Sequence, residues 1–401
     1  MSEDLDALVI GAGPVGLAAA LALNALRLRV AVLEADPADR PDRGSRALYL
    51  HRDSLRLLDG FVPGLGGQIA DFGLLWRARR TLYRGRQVYA ETFPRRKANG
   101  LPPHTSLRQA DTERFLRAAV TAAGVEIVWS APVHSVSSTA GGVQVSTEDG
   151  RTWSAGHVLG ADGGRSTVRE AVGLALDGER SNAYHVVVDV ADEPAGPAER
   201  VFHYRHPGLA GRHVLVVPFT GGRQVDLQCF PTDDPSALAE PAGVRRWLPR
   251  VLDRAAVDRV MSVSTYPFLQ RVTDRFVDGN HRVLLLGEAA HLFAPFGARG
   301  LNSGIADADA AAVAVAVATR AASGDRARAA VEEYHRVRSA AAHRNRAAAG
   351  AALSHLRPSA WQRARQEIAS VLAPVIGSCG SWLERRPYGP RELSGTLPSR
   401  Y

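Results

Sequence analysis

The sequence predicts an α/β protein. A Rossmann-like dinucleotide-binding domain carries an inserted, mostly antiparallel β-sheet domain, and a helical region follows at the C-terminal end. Three observations predict this. First, the apolar run Ala7–Ile10 enters Gly11-Ala12-Gly13-Pro14-Val15-Gly16, then a stretch of helix formers, then a second apolar run, Val30–Leu33, ending at Glu34. Strand, glycine turn, helix, strand and acid within about 30 residues are the opening of a dinucleotide-binding unit. Second, residues 183–265 hold strand-like runs at Tyr184–Val190, Val201–Tyr204, His213–Pro218 and Gln224–Phe230. Their links are too short for the crossover helices that parallel pairing needs. Third, the α/β pattern returns at Val283–Gly287, with a glycine-rich loop and a long alanine-rich helix from about Ser303.

The elements between follow from local pattern. Leu50, Leu55, Leu57 and Leu58 mark a helix over 45–58, and Phe115, Leu116, Ala119 and Val120 mark one over 111–123. Residues 60–103, rich in glycine, proline and arginine, read as loops with short strands. Strands are expected at Glu126–Trp129, Val133–Ser137 and Val143–Ser146, and Leu159–Gly164 closes that block. Residues 325–356 read as an arginine- and alanine-rich helix, and the tail from Pro387 as an extended segment.

Composition excludes several classes. The 401 residues carry 49 basic and 41 acidic side chains, a net charge of +8. Lys97 is the sole lysine, and the arginines are scattered without interleaved aromatics, so no nucleic-acid stripe is expected. Two cysteines, Cys229 and Cys379, make neither a disulfide framework nor a four-cysteine zinc site, and no metal-ligand pattern stands out. The longest apolar stretch, Ala310–Ala318, is too short to span a bilayer, and the acidic N-terminus is unlike a signal peptide. The expectation is a cytoplasmic protein without membrane or nucleic-acid partners, a monomer or homodimer.

In the first motif, Gly11 permits the tight turn, Gly13 lets a pyrophosphate approach the backbone, and Gly16 lets helix and strand pack closely. The helix N-terminus offers free N–H groups to the phosphate. Glu34 is placed to accept hydrogen bonds from ribose hydroxyls. The motif alone does not separate FAD from NAD.

Two later blocks bear on that choice: Gly160-Ala161-Asp162-Gly163-Gly164-Arg165, and Gly287-Glu288-Ala289-Ala290-His291 continuing through Pro295-Phe296-Gly297-Ala298-Arg299-Gly300-Leu301-Asn302-Ser303-Gly304. With the N-terminal fingerprint they resemble the three signatures of the flavoprotein aromatic hydroxylases, single-component FAD monooxygenases of the p-hydroxybenzoate hydroxylase type. The resemblance runs from about residue 5 to about residue 345. It implies that Gly11, Gly13, Pro14, Val15, Gly16, Glu34 and Ala35 hold the ADP half of FAD. It implies that Arg46 lies near the cofactor and that Gln109 contacts the flavin's linking chain. Asp162 and Gly163 match a motif associated with FAD and NAD(P)H. Gly287 and Glu288 would meet the ribityl chain and pyrophosphate, and Pro295, Gly300, Leu301 and Asn302 the isoalloxazine ring. The family usually has Gly-Asp where this chain has Gly287-Glu288; glutamate keeps the carboxylate and adds a methylene. Arg299 places a cation in the same loop.

The domains implied are an FAD-binding domain in three parts (1–75, 103–182 and 266–350), a substrate domain in two (76–102 and 183–265), and a helical region with tail (351–401). The family chemistry is NAD(P)H-driven hydroxylation of an aromatic or polyketide-like compound by molecular oxygen, through a flavin C4a-hydroperoxide. Alternatives are an epoxidase or oxidoreductase on a non-aromatic natural product, or a flavin-binding protein without turnover. A second glycine fingerprint for NAD(P)H is absent from the sequence, which fits transient nicotinamide binding. Only 56 residues follow residue 345, so the thioredoxin-like domain that some relatives append is expected to be absent or reduced to the tail. The catalytic residue is left open. Tyr184, His185, Asp189, His203, Tyr204, Arg205 and His213 are the titratable candidates of the second domain.

Overall fold

The computed structural model describes residues 5–40, 49–93, 100–191 and 198–389. β1 (Leu5–Ile10), α1 (Pro14–Ala25) and β2 (Val30–Leu33) form the opening unit. The last four residues of β1 are all buried, as expected of a central strand covered on both faces. Every residue of α1 from Gly16 to Leu23 is buried too, so small alanines suit it on all sides. β3 (Tyr49–His51) precedes α2 (Arg52–Phe61) and α3 (Leu65–Phe72). The helix expected from residue 45 therefore starts at Arg52, because Tyr49–His51 pair antiparallel with β6 (His104–Ser106). Between them run β4 (Ala78–Tyr83) and β5 (Arg86–Thr92). Then come α4 (Gln109–Ala122), β7 (Glu126–Val128), β8 (Val133–Thr139), β9 (Gly142–Thr147), β10 (Thr152–Gly160) and α5 (Thr167–Ala171).

The first sheet has the order β7-β2-β1-β10-β9-β8. β7, β2, β1 and β10 are parallel, and β9 and β8 add an antiparallel flap. The far half of β10 also pairs in parallel with Val283–Leu285. All three glycine-bearing turns thus leave the C-terminal ends of strands in one sheet, where open α/β sheets bind ligands.

The second sheet is built from β11 (Leu176–Ala191), β12 (Glu199–Tyr204), β13 (Val214–Phe219), β14 (Gly222–Gln228) and β15 (Val260–Thr273), with α6 (Pro235–Ala239) and α7 (Pro241–Trp247) before the last. After β16 (Val283–Leu285), β17 (His291–Leu292) completes the order β17-β15-β11-β14-β13-β12-β4-β5. Its pairs are antiparallel except β12 with β4. β11 and β15 run across the expected boundaries at 183 and 265, so these strands link the two domains.

α8 (Arg299–Thr319) packs on α1 of the first unit, and α9 (Gly324–Leu356) runs from α8 to β15 of the second sheet; α10 (Ala360–Leu372) and α11 (Gly377–Arg385) follow. α8 is long and apolar enough to cross a membrane, but its apolar window is 72% buried, packed against α1 and α9. That packing is a core helix's.

Candidate functional site

A cleft of about 3090 Å³ runs between the two sheets, from the N-terminus of α1 to the N-terminus of α8. Gly11, Gly13, Pro14, Val15, Glu34, Ala35, Gln109, Asp162, Gly163, Gly287, Glu288, Pro295, Gly300, Leu301 and Asn302 all line it. Gly16 does not; its place is behind the turn. Arg46 lies outside the described residues.

At one end, Gly11 has φ +102°, and a Cβ there would sit 2.6 Å from the Ala161 carbonyl oxygen, so only glycine suits it. A Cβ on Gly16 would stand 1.8 Å from the Gly11 carbonyl oxygen. Gly13 differs: a Cβ there would meet no protein atom within 4 Å. α1 starts at Pro14 with no side-chain cap and no acid in its first turn, leaving its N–H groups free for an anion. Glu34 is buried, and its Oε2 accepts the Ala12 N–H at 2.5 Å while Oε1 accepts that of Asp36 at 3.0 Å. Arg40 bridges Asp36 (2.9 Å) and Glu113 (3.0 Å), and the Gln109 amide donates to Glu113 at 3.0 Å.

Midway, two turns are tied together. The Val168 N–H donates to Asp162 Oδ2 at 3.0 Å, while Asp162 Oδ1 is buried without a hydrogen-bond partner. Burial raises that carboxyl's pKa. Buried Arg169 donates to the carbonyls of Ala289 (3.1 Å) and Gly164 (3.3 Å), clamping the second motif to the third. Gly287 has φ +56° and passes its N–H to Asp307 at 3.1 Å. Asp307 also accepts from Arg338 (2.6 Å) and bonds His291 Nε2 (2.7 Å), all buried. Burial alone would push the Asp307 carboxyl up, but Arg338 and His291 outweigh it and hold it at about 2. Glu288, beside this network, is exposed within the cleft. Asp307 and Arg338 were not singled out from the sequence. An acid and an arginine, each within an alanine-rich helix, are the signal that was available.

At the far end, Ala298 takes a left-handed conformation and starts α8, whose first N–H groups face the cleft without a side-chain cap. Asn302 lines this end of the cleft, and its side chain bonds to the protein: Oδ1 accepts from His51 N (2.9 Å) and Ser54 Oγ (2.6 Å), and Nδ2 donates to the carbonyls of Tyr49 (2.9 Å) and Ala298 (2.7 Å). It staples β3 and α2 to the turn. Arg299 donates to Asn345 (2.9 Å) and to the Tyr388 carbonyl (3.0 Å), which anchors the same turn to α9.

The seven titratable candidates of the second domain do not line the cleft. Tyr204 is buried, its hydroxyl on the Leu383 carbonyl (2.7 Å) and His355 (2.8 Å). Arg205 pairs with Glu367. Asp189 accepts from Gln224 (2.9 Å) and Ser262 (3.0 Å). Burial takes His185 down to about 3, and His203 and His213 to about 4. The groups that line the cleft on this side include Arg79, Glu91, Arg200, Gln224, Asp226, Tyr266, Arg271, Glu384 and Tyr388, among Trp76, Leu215 and Val217. Glu384 pairs with Arg200 (2.8 Å) and reaches Arg79 (3.4 Å), whose nearer partner is Glu91 (2.5 Å), also on the cleft lining. Among the described residues, no cluster of three or more His, Cys, Asp or Glu suits a metal ion.

Fold and cleft together define a two-domain dinucleotide-binding protein of the flavoprotein kind. The chain matches the family described as FAD binding domain over residues 4–349 and belongs to it, within the flavoprotein aromatic hydroxylases that its motifs resemble. It is 33% identical over 324 residues to a 6-methylpretetramide 4-monooxygenase of Streptomyces rimosus, covering 75% of this chain and 54% of that one. It is 29% identical over 309 residues to a 3-(3-hydroxy-phenyl)propionate/3-hydroxycinnamic acid hydroxylase of Mycolicibacterium gilvum, covering 76% and 52%. The chain thus spans about half the length of the curated relatives it matches. Among solved structures, a p-nitrophenol 4-monooxygenase from Pseudomonas putida superimposes with a TM-score of 0.75 at 26% identity, covering 98% of this chain and 100% of that one.

Proposed function

We propose that the protein is an FAD-dependent, NAD(P)H-using monooxygenase that hydroxylates an aromatic or polyketide-like small molecule. The observation that carries this is one continuous cleft with an uncapped helix N-terminus at each end and an aromatic, partly polar wall over the second. The residues fit the cofactor. The open face of Gly13 leaves room for a pyrophosphate, Asp162 Oδ1 lacks a partner, and Glu288 faces the cleft.

In this reading α1 and Gly13 hold the pyrophosphate, Glu34 the adenosine ribose, and Asp162 and Glu288 the linking chain. The Gly297–Asn302 turn and the start of α8 lie against the flavin ring. Bound FAD supplies the redox chemistry, taking electrons from NAD(P)H and activating oxygen. The chain's own contribution is positional and electrostatic. The N–H groups that open α8 stabilise negative charge on a ring placed before them. Trp76, Leu215, Val217, Tyr266 and Phe293 give the substrate an apolar wall and exclude water. Family names of the relatives support the substrate class: a polyketide-type pretetramide, a hydroxyphenyl acid and a nitrophenol. Burial of α8 argues for a core helix over a membrane span, and the scattered arginines argue against a nucleic-acid stripe.

The test is direct. Purified protein should carry non-covalent FAD, and a panel of phenols should be screened for stimulated NADH or NADPH oxidation with a product that gains one oxygen atom. NAD without flavin after denaturation would overturn the cofactor. Stimulated oxidation with no oxygenated product would overturn the monooxygenase.

A further inference from the structure

The inner face of β14 is polar and yet buried. Gln224, Asp226 and Gln228 alternate with Val225 and Leu227, which pack on the opposite face against Trp247 and its neighbours. All three polar residues are at most 9% exposed. Gln224 has a partner in Asp189. Gln224 and Asp226 both line the cleft, but the buried Oδ1 of Asp226 has no hydrogen-bond partner. A desolvated carboxyl left without a donor is costly in a strand that needs no acid for folding. Asp226 also lines a small cavity of about 50 Å³, shared with His185, His213, Gln228 and the Pro295–Gly297 turn. It therefore stands between the substrate wall and the turn assigned to the flavin ring.

We propose that Asp226 is a catalytic base: its carboxylate takes the hydroxyl proton of a phenolic substrate lying against β14. The inference rests on the monooxygenase reading and deepens it. The substrate O–H bond breaks, an O–H bond forms on Asp226, and the electron pair stays on the substrate oxygen as phenolate, which enriches the ring for attack by an electrophilic oxygen. No other reactant is needed for the step.

The surroundings favour a proton acceptor. On β11, Asp189 adds a like charge, and His185 is neutral; His213, before β13, is neutral as well. Arg200 on β12 and Arg79 on β4 line the same wall, but each has an acid of its own: Glu384 on α11 for Arg200 and Glu91 on β5 for Arg79. Tyr266 on β15 and Tyr388 after α11 complete the lining. Burial, with Asp189 second, pushes the Asp226 carboxyl up to about 7, where a base serves best near neutral pH.

The experiment uses FAD-loaded parent, Asp226→Asn and Asp226→Glu, with phenol as probe and anisole, which has no proton to give, as control. Flavin fluorescence reads FAD affinity, equilibrium dialysis reads phenol binding from about pH 5 to about pH 9, and product formation is followed with NADH or NADPH. The parent's Kd for phenol should fall about tenfold as the carboxyl ionises, a charge-assisted bond replacing a neutral one. Anisole should show no such step. Asp226→Asn should bind FAD normally, bind phenol without the step and lose product; Asp226→Glu should keep the step. The same step in Asp226→Asn, or an unchanged pH profile of product formation, would overturn the proposal. Failure of phenol to bind an FAD-loaded parent would overturn it too while leaving the flavin reading intact; failure to bind FAD would remove that reading itself.

Discussion

Alanine at Gly13 and at Gly16 should separate cofactor binding from folding. At Gly16 the new Cβ would lie 1.8 Å from the Gly11 carbonyl oxygen, and ordinary contact begins near 3.4 Å. About 1.6 Å of movement between α1 and the end of β1 is needed, with backbone on both sides. Overpacking of this kind costs about 1–3 kcal/mol or more. For a chain of this size each kcal/mol is roughly 2–4 °C in Tm. At Gly13 the backbone has φ −72° and ψ 175°, which alanine adopts freely, and the Cβ would meet no protein atom within 4 Å. Gly13→Ala should therefore leave the apo-protein as stable as the parent, or more so by about 0.4–1 kcal/mol through the unfolded chain. Its Cβ would occupy the space assigned to the pyrophosphate, so FAD affinity should fall at least tenfold, roughly 1.4 kcal/mol. Thermal unfolding of both apo-proteins and a flavin-fluorescence titration give the two readouts. Parent-like FAD affinity in Gly13→Ala would refute the placement of the pyrophosphate, and a parent-like Tm in Gly16→Ala would refute the packing argument.

Glu34→Ala removes the acceptor of two backbone N–H groups as well as the ribose contact. It should cost about 1–2 kcal/mol in stability and weaken FAD binding about tenfold, read by the same two assays. Glu288→Asp should bind FAD at least as well as the parent and Glu288→Ala worse; equal dissociation constants for all three would remove Glu288 from the site. Asp307→Asn leaves Arg338 buried without its charge partner, so urea unfolding should show a loss of about 3–5 kcal/mol and weaker FAD retention. In the parent, the depressed Asp307 pKa gives stability that is present above the unfolded value near 4 and lost as pH falls toward 2. Asp226 acts in the opposite sense. Its folded pKa is raised, so the folded state holds a proton that the unfolded state has released, and the parent should lose stability as pH rises from about 4 to about 7. Asp226→Asn should flatten that fall in a series of chemical-unfolding midpoints.

The cofactor half of the molecule was legible in the sequence because its constraints are local. A turn that admits only glycine, as at Gly11, leaves a mark in six consecutive residues. The acid at Glu34 and the returns at Asp162 and Gly287 repeat that pattern at strand ends. What escaped was the support beneath them. Asp307 holds the Gly287 N–H from 20 residues away, Arg338 and His291 hold Asp307, and Arg169 joins two motifs 120 residues apart. Asn302 lies in the loop expected beside the ring, and three of its four side-chain bonds go to residues about 250 positions earlier, a tie that no local pattern shows.

The substrate half was illegible for a different reason. Residues Gln224 to Gln228 alternate polar and apolar, the pattern of a strand with one face in water. In the fold the polar face is turned to the cleft and covered by the cofactor domain, so the period is right and the solvent is wrong. Of the titratable residues chosen by type, His185 and Asp189 do lie on this face, paired across from Gln228 and Gln224, but off the cleft lining. His185 and His213 line the small cavity beside Asp226, Tyr204 packs with Tyr83 and Phe202, and Arg205 is used in an ion pair with Glu367. Whether a strand's polar row meets water or a ligand is set by what packs over it, and β14 is covered by a turn about 70 residues further along the chain. A buried polar row opposite the third glycine motif is therefore where the chemistry of this fold should be sought. Asp226, whose Oδ1 has no partner there, is the residue that the row singles out.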